Sequence, residues 1–151
     1  MRRHRLGRDG AAGLQQLPLF ADLSIGQCRM LSECVDRFEA EPGEVLMAEG
    51  EQGLDMMILQ EGAAEVSQQG RAIGVMAPGD FFGELAVLGD GSPRTATVRA
   101  TTATTGLLFT SHDLRQIHDR LPDVGARIDA IAQERLERDA RERGAPAAPG
   151  A

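Results

Sequence analysis

A glycine, a glutamate and an arginine lie near one another in a turn-rich stretch in the middle of the chain. Gly83 and Glu84 begin an apolar run, and Arg94 follows a loop with two further glycines. A glycine at the start of a short helix lets backbone N–H groups approach an anion, and the helix start adds partial positive charge. Arginine donates bidentate, charge-assisted hydrogen bonds to phosphate oxygens. These residue types therefore predict a phosphate-binding site.

The glutamate predicts a second interaction with the same ligand. Glu84 would repel a phosphate at close range, because both groups are negative at neutral pH. A carboxylate accepts hydrogen bonds from hydroxyl groups, and a ribose would supply them beside a phosphate. The structural alternatives are an ion pair between Arg94 and an acid of the surrounding sheet, and a helix-capping role for Glu84.

The stretch that contains these residues, about 37–110, consists of short β-like runs separated by turn residues. The turn residues are Pro42 and Gly43, Gly50, Gly53, Gly62, Gly70, Pro78 and Gly79, and the segment 89–93. Such regular punctuation predicts an antiparallel sandwich or barrel. Residues 95–101 alternate between Thr or Arg and small apolar residues, which indicates a half-buried strand.

Helical periodicity precedes and follows this β segment. Ser24 is expected to cap a helix that includes both Cys28 and Cys34. Further along, Ser111 is expected to cap one helix and Pro122 to open another. The predicted fold class is therefore mainly β with flanking helices (α+β).

The length and the composition along the chain predict one domain with two tails. Residues 1–13 are polar and aperiodic, and residues 144–151 are rich in Ala, Pro and Gly, so both are expected to be disordered or linker-like. Residues 14–143 remain as the domain, with the C-terminal helices at about 111–143. The 151 residues suffice for one modest core.

Charge and composition exclude several classes of partner. The chain has 16 basic and 23 acidic residues and neither Trp nor Tyr, which does not fit nucleic-acid binding. No apolar run reaches the about 18 residues of a membrane span, and the basic start lacks the apolar core of a signal peptide. The cysteines read as ordinary buried thiols. We expect a cytoplasmic protein that does not insert into membranes.

Catalysis is not expected from this sequence. His4, His112 and His118 fall in the tail and in a late helix, so they are not expected to converge on a metal ion. No Cys or Ser nucleophile has a base at hand. We therefore expect no enzymatic activity, no metal site and no catalytic cofactor.

Residues 82–98 read Phe-Gly-Glu-Leu-Ala-Val-Leu-Gly-Asp-Gly-Ser-Pro-Arg-Thr-Ala-Thr-Val. This stretch resembles the phosphate-binding cassette of the cyclic-nucleotide-binding domain family, which runs Phe-Gly-Glu, two or three apolar residues, a short loop, Pro-Arg, two small residues and Thr/Ser-Val. Upstream, Pro-Gly-Glu at 42–44 and Pro-Gly-Asp-Phe-Phe at 78–82 look like turns of the same family. The resemblance covers about residues 14–140. Met56 and Met57 depart from it, because an aromatic and an apolar residue are more usual there.

The resemblance implies a fold and a set of ligand contacts. The fold would be an eight-stranded antiparallel β-roll with helices before it, inside the cassette and after it. Glu84 would hold the ribose 2′-hydroxyl and Arg94 the cyclic phosphate. The backbone N–H groups implied in the anion cradle are those around Gly83, Leu85, Ala86 and Ala96. The residues implied around the base are Val75, Leu85 and Val87 in the pocket, and Arg135 with Leu136 in a C-terminal lid.

The resemblance also implies the function. The domain would bind cAMP or cGMP and relay occupancy through movement of the C-terminal helices, as the regulatory sensor of a channel, kinase or other effector in cis or in trans. Thr95 would add a hydroxyl to the phosphate or the base, and Thr at this place is associated with tolerance of cGMP. For Arg135 the alternative is a surface ion pair. For the whole domain the alternative is a nucleotide-free structural or interaction module on the same fold.

Overall fold

The computed structural model describes residues 1–53, 55–83 and 93–144, with the side chains at 135, 136 and 138–144 outside the description. Its strands are β1 (Arg2–Arg5), β2 (Asp36–Ala40), β3 (Val45–Met47), β4 (Met56–Glu61), β5 (Ala64–Gln68), β6 (Arg71–Met76), β7 (Phe81–Phe82), β8 (Thr97–Ala100) and β9 (Thr104–Phe109). Its α-helices are α1 (Ala11–Leu14), α2 (Ile25–Ser32), α3 (Ser111–Arg120) and α4 (Pro122–Gly144). Two 3-10 turns, Arg8–Gly10 and Pro18–Phe20, accompany the first helices.

The strands form two antiparallel sheets. One has five strands in the order β1-β2-β9-β4-β7, and the other has four in the order β3-β8-β5-β6. The predicted mainly-β class with flanking helices is confirmed. The described residues contain nine strands instead of the eight that the resemblance implies, because the N-terminal segment contributes β1.

Strand β4 is buried on both faces and connects two apolar clusters. Met56 and Ile58 pack against the helical layer, together with Phe109 of β9. Met57 and Leu59 point the other way, into the space between the two sheets. Since successive strand residues face opposite sides, one continuous apolar run serves both clusters. The two methionines that depart from the family pattern are thus ordinary core residues.

The expectation of a disordered or linker-like segment at 1–13 is corrected by the structure. Strand β1 pairs with β2 in register, with Arg3 opposite Phe38. Arg3 and Arg5 both reach the carboxylate of Asp36, at 2.9 and 3.4 Å. The acids that neutralise these arginines are distant in the sequence, since Asp36 follows Arg3 by 33 positions. The polar composition of residues 1–13 is therefore also typical of a disordered tail, and the pairing of β1 with β2 is what distinguishes the two.

Two helix boundaries also differ from the sequence expectation. Ser24 caps α2 as predicted, in a reciprocal capping box with Gln27. The helix ends at Ser32, so Cys34 follows it, and both cysteines are buried free thiols. Thr110, and not Ser111, caps α3, because its side chain accepts the Asp113 N–H while the Asp113 carboxylate accepts the Thr110 N–H. In the part of the chain described, no helix has the length and apolarity to cross a membrane.

Candidate functional site

Arg94 is held at both its backbone and its side chain. Its carbonyl accepts the Gly50 N–H at 2.8 Å and its own N–H donates to the Glu51 carbonyl at 2.8 Å. Its guanidinium donates to the Asp55 carbonyl at 2.9 Å and lies 3.5 Å from the Gly83 carbonyl. The turn after β3 therefore fixes the backbone, while the start of β4 and the end of β7 orient the charged group.

Two glycines make room for this guanidinium. A Cβ atom on Gly53 would lie 2.6 Å from Nε and from Nη2 of Arg94. Gly83 has φ +83°, and a Cβ there would lie 2.4 Å from the Asp55 carbonyl oxygen and 2.7 Å from the Met47 methyl group. The contacts at Gly53 and at Gly83 are all shorter than the Cβ contacts that occur in real proteins. The structure thus brings together Gly83 and Arg94, two of the residues predicted for the phosphate site.

The residues after Arg94 are held by two neighbouring turns. Thr95 is exposed, and its carbonyl accepts a hydrogen bond from Nε2 of Gln68 at 2.9 Å. The Thr97 hydroxyl accepts the Glu49 N–H at 3.0 Å. Ala96, between them, is half-buried. The segment 94–97 is therefore fixed before any ligand contributes contacts.

Several predicted site residues cannot be located. Glu84, Leu85, Ala86 and Val87, and with them the short helix expected inside the cassette, lie outside the described residues. Arg135 and Leu136 belong to α4, but their side chains are outside the description too. Their roles remain predictions.

Val75, predicted to line the base pocket, lies on the outer face of the four-stranded sheet. It is 73% exposed and pairs with the exposed Glu65. Its neighbour Met76 points inward and packs against the inter-sheet cluster, as do Met47 and Val66. The structure therefore does not bring Val75 to Arg94, and Met76 is the inward residue of this pair. Strand alternation predicts that residues 75 and 76 face opposite sides of the sheet, but the sequence does not show which of them faces inward.

Among the described residues, the titratable groups with shifted pKa values are His118, Cys28 and Glu44, and none of them belongs to the segments that hold Arg94. Hydrogen bonds to the Leu114 carbonyl and then to Asp129 raise the pKa of His118, and burial raises the pKa of the Cys28 thiol. The positive N-terminus lowers the pKa of Glu44. Within the described ranges, no group of three or more His, Cys, Asp or Glu side chains could hold a metal ion. The chemistry of the described site is therefore that of an arginine among backbone hydrogen-bonding groups, which suits anion binding.

Comparison with known proteins identifies the family of this chain from its sequence. The family model of the cyclic nucleotide-binding domain matches residues 37–120. The cAMP-dependent protein kinase regulatory subunit of Mycosarcoma maydis is 40% identical over 95 residues, which are 60% of this chain and 18% of that protein. The potassium/sodium hyperpolarization-activated cyclic nucleotide-gated channel 4 of Oryctolagus cuniculus is 31% identical over 124 residues, which are 81% of this chain and 10% of that protein. The chain thus spans only a small part of either relative.

Solved structures share the fold. A structure of PKAR CBD2 with Sp-2Cl-cAMPS bound aligns with a TM-score of 0.73 and 26% identity, covering 91% of each chain. The catabolite activator protein of Thermus thermophilus aligns with a TM-score of 0.72 and 25% identity, covering 83% of this chain and 61% of that one.

Proposed function

Since this chain belongs to the cyclic nucleotide-binding domain family, we propose that it binds cAMP or cGMP through Arg94 and relays occupancy to an effector. The observation that carries the proposal is the setting of Arg94. Its guanidinium is held by the Asp55 and Gly83 carbonyls, beside the two glycines that make space for it. The fixed side chain needs little reorganisation to meet a cyclic phosphate, which favours tight binding.

The remaining contacts follow from the chemistry of the ligand. Glu84 directly follows Gly83, and in this proposal its carboxylate accepts a hydrogen bond from the ribose 2′-hydroxyl. Thr95 follows Arg94, and in this proposal its hydroxyl bonds the phosphate or the base. The inward-facing Met47, Val66 and Met76 supply apolar surface between the sheets for the base.

The relay would use the last helix. Its first turns are anchored, because Val124 and Ile128 are almost fully buried in the helical core cluster and Ala132 is fully buried as well. Gln133, Glu134 and Glu137 are exposed, so the later turns are the part that can change position. Arg135 and Leu136 lie in those turns. A ligand that contacts both the sheets and this part of α4 binds more tightly when α4 lies against it. Binding therefore shifts the population toward that position of the helix.

Calorimetric titration of cAMP and of cGMP into the purified chain tests the binding proposal. We expect micromolar or tighter binding of at least one nucleotide, with the ratio of affinities reporting the selectivity to which Thr95 contributes. Arg94→Ala should weaken binding by about 10- to 150-fold, because a hydrogen bond to a charged group contributes about 1.5–3 kcal/mol. Arg71→Ala, which removes the same charge from the exposed strand β6, should bind like the wild type.

Two outcomes would contradict the proposal. Wild-type affinity in Arg94→Ala would remove Arg94 from the site. Absence of heat with both nucleotides on a folded sample would favour the nucleotide-free interaction module.

The role of Glu84 has its own test with 2′-deoxy-cAMP. We expect this ligand to bind the wild-type chain about 10-fold or more weakly than cAMP, because the carboxylate loses its hydroxyl partner. In Glu84→Gln the difference between the two ligands should shrink, since the charge-assisted bond is already gone. Equal affinity of the two ligands for the wild-type chain would exclude this contact.

A further inference from the structure

The turn end of the β5–β6 hairpin touches the segment that carries Arg94, through Gln68, which is not among the predicted ligand contacts. Gln68, the last residue of β5, is half-buried and donates from Nε2 to the Thr95 carbonyl at 2.9 Å. The hairpin turn itself is formed by Gln69 and Gly70, with φ of +52° and +79°. The Gln69 N–H donates to the Glu49 carboxylate at 2.9 Å, which ties the hairpin to the turn after β3.

This contact determines the direction of a backbone donor. In a planar trans peptide, the carbonyl of one residue and the N–H of the next point in opposite directions. Because Gln68 holds the Thr95 carbonyl toward the hairpin, the Ala96 N–H points away from it. In the same way, the Gly50 N–H holds the Arg94 carbonyl and directs the Thr95 N–H away from the turn after β3. Among the described residues, neither the Thr95 nor the Ala96 N–H donates a hydrogen bond.

The two N–H groups follow directly on Arg94, the residue proposed to bind the phosphate. Consecutive N–H groups that point outward from a turn form an anion-binding concavity. Such a concavity keeps its shape while its carbonyls are held, and within the described part of the chain the Thr95 carbonyl is held by the Gln68 side chain and by no backbone group. The Gln68 contact can therefore be removed by substitution, unlike the backbone contact from Gly50.

We propose that Gln68 is a positioning residue of the nucleotide site: its side-chain amide holds the Thr95 carbonyl, so that the Ala96 N–H faces the cyclic phosphate. This inference rests on the proposed cyclic-nucleotide binding. It assigns to the β5–β6 hairpin a role in setting phosphate affinity without any contact between Gln68 and the ligand.

The test compares Gln68→Ala and Gln68→Glu with the wild-type chain by calorimetry. Gln68→Ala should bind the preferred nucleotide about 3- to 10-fold more weakly, the equivalent of one neutral hydrogen bond. Gln68→Glu should bind at least as weakly, because a carboxylate cannot donate to a carbonyl. Gln16→Glu makes the same charge change at an exposed position distant in sequence and should bind like the wild type.

A second readout separates positioning from general destabilisation. The two phosphorothioate diastereomers of the nucleotide each replace one exocyclic oxygen with sulfur, a poorer acceptor. In the wild type, the diastereomer that alters the acceptor of the Ala96 N–H should bind less well than the parent nucleotide. In Gln68→Ala this penalty should shrink, while the penalty for the other diastereomer stays the same. The melting temperature of the ligand-free variant should stay close to that of the wild type.

The outcomes are distinct. Wild-type affinity in Gln68→Ala, or weaker binding with both phosphorothioate penalties unchanged, would overturn the role of Gln68. Failure of the wild-type chain itself to bind either nucleotide would instead overturn the proposed function, and that measurement precedes the variants.

Discussion

At the scale of single residues, the described site consists of one arginine and the backbone around it. The guanidinium of Arg94 bonds carbonyl oxygens, and its own backbone is fixed by N–H and carbonyl groups of the turn after β3. A side chain at 83 would collide with the Asp55 carbonyl oxygen, and one at 53 would displace the Arg94 guanidinium. The glycine before Glu84 thus has a packing reason in addition to any closeness to a ligand.

Substitution of three glycines separates the cost of a positive φ from the cost of a steric collision. Gly83→Ala combines a positive φ with a Cβ contact of 2.4 Å, so we expect a loss of about 2–4 kcal/mol in the free energy of unfolding. Gly43→Ala has a positive φ but open space, and should cost about 1–2 kcal/mol. Gly74→Ala meets neither obstacle and should be close to neutral. Urea denaturation measures all three, and equal losses for Gly83→Ala and Gly43→Ala would exclude the steric part.

At the scale of elements, α3 and α4 are joined by a polar contact of His118. The His118 ring lies 2.8 Å from the Leu114 carbonyl within α3 and 2.9 Å from the Asp129 carboxylate of α4. The helices meet closely here, since a Cβ on Gly125 would lie 2.7 Å from the His118 ring. Arg127, farther along α4, donates to the Leu19 carbonyl at 2.8 Å and so ties the helix to the N-terminal turn.

This joint predicts a pH dependence of stability. The Leu114 carbonyl and the carboxylates of Asp129 and Asp119 raise the pKa of His118. A raised pKa in the folded state means that the contribution is complete below the ordinary value of about 6.5 and is lost as pH rises through the raised value. The pair is partly exposed, with side chains 35% and 49% accessible, so we expect at most about 1 kcal/mol.

Chemical denaturation between pH 6 and 9 measures this effect. The wild type should lose stability relative to His118→Gln as pH rises, because the variant lacks the titrating group. His112→Gln, on the exposed side of the same helix, should show the wild-type slope. A constant difference between the wild type and His118→Gln across this range would contradict the assignment.

At the scale of the whole molecule, the five-stranded sheet separates two apolar layers. One layer lies between the sheets, and the other lies under the N-terminal and C-terminal helices. Strands β4 and β9 contribute residues to both layers, and the layer under the helices also contains Val124 and Ile128 of α4. This arrangement gives a packed connection between the inter-sheet space, where the proposed nucleotide would bind, and the last helix.

The proposed helix movement can be measured as a distance. Ala72 in β6 and Glu137 in α4 are exposed, and the native thiols of Cys28 and Cys34 are 0% and 4% exposed, so spin labels should attach to introduced cysteines at 72 and 137. We expect saturating nucleotide to change the mean distance between the labels by more than about 2 Å. The pair 45 and 72, both within the four-stranded sheet, should not change. A 72–137 distance that stays constant with ligand bound would contradict the relay.

Short-range patterns in the sequence predict the fold class and the Ser24 cap, which the structure confirms, and they select Gly83 and Arg94, which the structure brings together. The spacing of Gly83 and Arg94 predicts anion binding because it brings hydrogen-bond donors together within one local segment. The sequence predicts Ser111 as the cap of α3, whereas Thr110 takes this place. Both side chains carry a hydroxyl that can cap a helix, so only the backbone angles distinguish them.

Only the tertiary structure decided which distant residues meet. The arginine-rich start forms β1 because it pairs with β2. Val75 faces outward because of the register between β6 and β5. Gln68 reaches the Thr95 carbonyl only in the folded chain. Each of these depends on register between segments far apart in the chain, and a shift of one residue exchanges the two faces of a strand. A local pattern records which groups a segment carries, whereas their partners are set by how the sheets pack.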